Sequence, residues 1–80
     1  MFTVYALYSS SFDKIYVGFT SDLPKRFLSH NQLGTKGWTR KFRPWVIIYK
    51  EFHISKQTAM LREKELKTAK GREFIRKQIN

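Results

Sequence analysis

The chain has no cysteine among its 80 residues. That excludes disulfides, thiolate metal sites and thiol chemistry, so stability must come from the core alone. Acids are also scarce. Six Asp and Glu stand against sixteen Lys and Arg, a formal charge of +10 with a pI near 10.2. So basic a small chain points to a polyanion partner, with nucleic acid first; a basic domain without a partner is the competing reading. No apolar run approaches the roughly 20 residues of a membrane span, so neither a spanning helix nor a signal peptide is expected, and the predicted location is cytoplasmic. Repeats, low-complexity tracts and linkers are likewise missing, which predicts a single domain over residues 1–80. A chain of this length buries only just enough surface to fold. Two Trp, four Tyr and seven Phe are the obvious core material.

What is present begins with two short apolar segments, Val4-Tyr5-Ala6-Leu7-Tyr8 and Lys14-Ile15-Tyr16-Val17-Gly18, around a Ser/Asp-rich stretch. This predicts a hairpin. Residues 2–9 are apolar in both alternating sets, which suits a central strand covered on two faces. In the second segment Ile15, Val17 and Phe19 share one face, and Tyr16 and Gly18 the other. The spacing predicts Tyr5 directly opposite Tyr16 on one face of the sheet. Gly18, inside a strand, marks close approach of a backbone or a ligand. Two phenols beside that gap fit an active-site floor or an aromatic core.

A helix follows, capped by Ser21 or Asp22, with Pro24 in its first turn. Leu23, Phe27 and His30 fall along its buried side, with Arg26 beside them. The helix is expected to end between Asn31 and Gly34. Residues 34–44 form a long loop in which Lys36, Arg40, Lys41 and Arg43 alternate with Trp38 and Phe42. Phosphate contacts and base stacking would look like this, and so would a loop folded over the core by its aromatics. Residues 45–52 predict the third strand. Ser55 caps a helix over 56–69 that Gly71 is placed to stop. A last segment offers Phe74, Ile75 and Ile79 to the body and Arg72, Arg76 and Lys77 to water.

Glu63 breaks the pattern. It lies within the stripe of Ala59, Met60 and Leu66, where an unpaired charge is costly. Its partner is either Lys67, four residues on, or a divalent cation.

These residues resemble the GIY-YIG nuclease family, and its small UPF0213, excision-repair-nuclease-like members in particular. The resemblance is carried by Val4-Tyr5, Tyr16-Val17-Gly18, Arg26 after Asp22-Leu23-Pro24-Lys25, His30-Asn31, Pro44-Trp45, and Glu63 in Leu61-Arg62-Glu63-Lys64. It covers nearly the whole chain. The first motif lacks its glycine, with Thr3 before Val4-Tyr5, and the second has valine for isoleucine. Asn80 is not assigned to the late asparagine of larger members. The resemblance implies an α+β fold, a three-stranded antiparallel sheet flanked by helices in the order β-β-α-β-α-α. It implies a divalent-metal-dependent endonuclease, with DNA the favoured substrate and low sequence specificity or structure selectivity. Glu63 would hold Mg²⁺ or Mn²⁺, which keeps several waters and accepts substrate oxygens. Tyr16 would activate the attacking water, Tyr5 position it, and Arg26 hold phosphate oxygens. His30 would transfer a proton or bind phosphate. Gly18, Lys25, Lys36, Trp38, Arg40, Lys41 and Arg43 complete the expected nucleic-acid contacts, and the chain is expected as a monomer or weak dimer. Two other functions compete: a non-catalytic nucleic-acid-binding module on the same fold, and an adaptor whose basic surface meets an acidic protein.

Overall fold

The computed structural model describes residues 1–28 and 41–79. Along them run β1 Phe2–Ser9, β2 Lys14–Thr20, α1 Leu23–Leu28, β3 Val46–His53, α2 Lys56–Leu66 and α3 Ala69–Arg76. This is the α+β succession expected. The strands form one antiparallel sheet in the order β2-β1-β3. β1 takes the centre because both of its faces are apolar: Val4, Tyr5, Ala6 and Leu7 are all fully buried, and each face needs cover. On one face Val4, Ala6 and Val17 meet Ala59, Leu66 and Ile75 of α2 and α3. On the other, Tyr5 and Leu7 meet Trp45, with Tyr16, Leu23, Phe27 and Phe42 around them. Two thin cores lie back to back on one sheet.

The hairpin register differs from the one expected. Tyr5 lies opposite Gly18, and Tyr16 opposite Leu7. The last pair is Ser9 with Lys14, so the turn takes four residues, and Asp13 closes it in the left-handed region at φ 52°. A two-residue turn would have aligned the tyrosines; the longer one shifts them by two. They still share a face, and meet diagonally with ring centroids 6.2 Å apart.

β3 is also irregular. Ala6 pairs with Tyr49 but Leu7 with Ile47, leaving Ile48 as the extra residue of a bulge. Ile48 and Tyr49 therefore both pack toward α2, while Ile47 turns to the face of α1.

Asp22 caps α1, accepting from the Lys25 amide at 3.2 Å. The expected end of that helix lies outside the described residues. The helix expected over 56–69 is instead two. Ser55 caps α2, but Thr68 interrupts it, accepting from the Gly71 amide at 3.2 Å as the cap of α3. Gly71 is thus not a stop signal but part of α3. A Cβ there would lie 2.2 Å from the Glu65 carbonyl oxygen and 2.4 Å from Leu66 Cα, so its role is to let α3 close on α2. Met60 is 41% exposed and does not belong to the buried stripe, which is Ala59 and Leu66.

Candidate active site

The site is built on the α1 face of the sheet. β1 presents Tyr5 and β2 presents Tyr16 because alternation sends both phenols to that side. Gly18 is the reason the Tyr5 ring lies flat across β2. A Cβ at Gly18 would stand 2.8 Å from the Tyr5 hydroxyl and 3.1 Å from Tyr16 Cε2. The space above Gly18 is therefore taken by a phenol. Tyr16 is itself held at an edge-on contact with Trp45, centroids 6.4 Å apart.

Arg26, on α1, stands close enough to this pair for both phenols, Tyr5 first, to act on its guanidinium and hold it above the usual arginine value. A guanidinium has only donors, so toward it a phenol oxygen can serve only as an acceptor. Arg26 is exposed at the surface and makes no ion pair with a carboxylate among the described residues. Burial pushes the Tyr5 hydroxyl up to about 12, and the neighbouring Tyr16 and the Glu63 charge push the same way, against the pull of Arg26. Tyr5 is accordingly a neutral donor over the physiological range. Lys25 and Arg26 line a hollow of about 470 Å³ with Thr20, Ser21 and Asp22.

Glu63 approaches from the other layer, on α2, and its charge still registers at Tyr5. Its half-buried carboxylate pairs with Lys67 at 3.7 Å, the i,i+4 partner considered from the sequence. Among the described residues no three His, Cys, Asp or Glu side chains converge to hold a metal. A lone carboxylate still fits Mg²⁺ or Mn²⁺, whose remaining positions go to water and substrate phosphate.

The remaining expected residues divide. His30, Lys36, Trp38 and Arg40 lie outside the described residues. Lys41 is exposed and Arg43 half-buried. Phe42 lies against the core, edge-on to Phe12 at 5.4 Å and under the Lys14 ammonium at 5.6 Å. At that residue the loop is folded over the core by its aromatic.

A second polar cluster was not anticipated. On the α2 face, Glu51 accepts from the Tyr49 hydroxyl and, at both oxygens, from Arg62 Nε at 3.1 Å. His53 Nε2 lies 2.6 Å from the same carboxylate, and its Nδ1 lies 3.2 Å from the Thr58 hydroxyl. Burial works against the Glu51 charge, but the Tyr49, His53 and Arg62 hydrogen bonds outweigh it and hold the carboxyl below the usual range. The signal in the sequence was the i, i+2, i+4 alternation of Tyr49, Glu51 and His53 in a strand.

A family model described as the GIY-YIG catalytic domain matches residues 1–78. The chain belongs to the GIY-YIG family. It is 38% identical over 56 residues to a UPF0213 protein of Staphylococcus haemolyticus, covering 70% of this chain and 68% of that one. It is 39% identical over 54 residues to a UPF0213 protein of Bacillus pumilus, covering 68% of this chain and 55% of that relative. The solution NMR structure of a UPF0213 protein from Bacillus halodurans superposes with a TM-score of 0.56 at 27% identity, covering 94% of this chain and 82% of the other. GIY-YIG membership implies a nuclease family acting on nucleic acid, one that generally uses divalent metals. No helix among the described residues is long and apolar enough to cross a membrane.

Proposed function

We propose that the protein is a divalent-metal-dependent endonuclease that hydrolyses phosphodiester bonds, in DNA by preference, with structure selectivity or low sequence specificity. The observation that carries this reading is the Arg26 guanidinium set beside two phenols and paired with no carboxylate among the described residues. A fixed cation beside the neutral O–H of Tyr5 suits a phosphodiester and its trigonal-bipyramidal transition state. Arg26 grips non-bridging oxygens. Tyr5, kept protonated by its burial, orients the phosphate or the attacking water, and Tyr16 is the residue that takes the water's proton. Glu63 would hold the metal, which would offset charge on the phosphorus and the leaving oxygen. Lys25 and Lys41 add sequence-independent phosphate contacts.

The second reading, a binding module without catalysis, draws on the Glu63–Lys67 pair, since a carboxylate already neutralised needs no metal. Cleavage of single-stranded and branched DNA with Mg²⁺ or Mn²⁺ separates the two. The wild type is expected to cut and Glu63→Gln to lose cutting while retaining binding. Equal strand breakage by both would remove Glu63 from the mechanism. Binding without breakage by either would favour the module.

A further inference from the structure

A hollow of about 550 Å³ lies on the site's own face, between α1 and β3. Its apolar lining includes Met1, Leu23, Phe27, Ile47 and Phe52, and the exposed Lys50 lines it too. None of these side chains has a role in the reaction as read above. Phe52 is 63% exposed and Met1 77%, an unusual outlay of apolar surface on a chain carrying +10. Sheet geometry puts Lys50 beside Tyr5 and Phe52 beside Thr3 on β1. The hollow shares Ser21 and Asp22 with the one that holds Lys25 and Arg26, so the two cavities adjoin.

We infer that this hollow receives an unstacked nucleobase next to the phosphate held at Arg26, with Phe52 as its stacking surface. The inference rests on the nuclease reading and narrows it to substrates with an unpaired nucleotide beside the cut. Three features favour a base over other occupants. The hollow continues a site that binds the phosphate of the same strand. Its walls are apolar and aromatic, with Lys50 and Asp22 also in the lining to meet the carbonyl and amino groups of a base edge. A second copy of the chain would bring another +10 against this one, which opposes self-association.

The test measures affinity for a duplex with one bulged nucleotide and for the same duplex with an abasic bulge, at fixed low salt. The wild type is expected to prefer the bulge that carries a base by about 5- to 150-fold, the range for one stacked base. Phe52→Ala should erase that preference and leave the salt dependence of binding unchanged, because no phosphate contact is removed. Leu61→Ala, 59% exposed on α2, serves as the control for loss of surface apolar area. Equal wild-type affinity for both bulges, or a preference that survives Phe52→Ala, overturns the inference while leaving nucleic-acid binding intact. A wild-type dimer in sedimentation that dissociates in Phe52→Ala, without a base preference, assigns the hollow to a second copy and also overturns it. Failure to bind either duplex strikes the nuclease reading itself.

Discussion

Two arginine–tyrosine clusters lie on opposite faces of the same sheet, and they differ by one carboxylate. On the α2 face Arg62 meets the ionised Glu51, to which Tyr49 also donates, with His53 completing the group. The cation is neutralised and β3 is fastened to α2. On the α1 face Arg26 meets Tyr5 and Tyr16 and has no acid among the described residues. That cation is held in place but not compensated. Similar side chains therefore make a structural clasp on one side and the proposed anion site on the other. An arginine's role is read from what balances its charge.

The sharpest test exchanges the two losses. Arg26→Gln is expected to lower cleavage by about 10²- to 10³-fold, the usual cost of removing one transition-state donor, with little change in melting temperature because the side chain is exposed. Arg62→Gln should do the reverse. It strips a charge-assisted bond from Glu51, and after allowance for partial solvent access the loss is about 1–2 kcal/mol. Thermal unfolding and initial cleavage rates of both variants check the contrast; parallel losses in both variants would collapse it.

Acid comes next. The Glu51 carboxyl is held below the ordinary glutamate value of about 4.3, so the folded state binds its proton later than the unfolded chain does. Its contribution is complete above pH ~4.3 and is lost as pH falls through the folded value. Wild-type stability should decline in that window, and Glu51→Gln should be less stable at neutrality with a flatter acid limb. Denaturant midpoints measured against pH decide this.

The smallest effect belongs to Tyr5. Its hydroxyl is raised to about 12, from an ordinary value of about 10, so folding favours the protonated phenol. That contribution is present below pH ~10 and is lost as pH rises toward 12. Tyr5→Phe is expected to lessen the alkaline decline, and ultraviolet titration of phenolate should lose its latest-ionising tyrosine. Neither variant on the α2 face should alter that step.

Much of this architecture was legible in the chain. The doubly apolar alternation of Phe2–Ser9 predicted a central strand, and the resemblance carried Tyr5, Tyr16, Arg26 and Glu63 as one set. Local pattern failed where a distant contact decided. Gly71 resembled a helix stop, yet the backbone of Glu65 and Leu66 is what requires it, and Thr68 makes the break. Met60 satisfied the stripe by spacing and still faces outward. Gly18 suggested an opening, and the ring of Tyr5 occupies it.

The sequence by itself determined the strand and helix order, the basic charge and the residue types available for phosphate chemistry, because periodicity and composition are local quantities. Only the tertiary structure decided the diagonal meeting of the two phenols. A four-residue turn sets that register, and its choice depends on Asp13 adopting the left-handed region while bonded to Tyr8 and Arg76. It also decided that Arg26 and Arg62, alike on paper, would end with different partners. Charge balance in a folded chain follows from which side chains the sheet brings together, and no spacing along the chain encodes that.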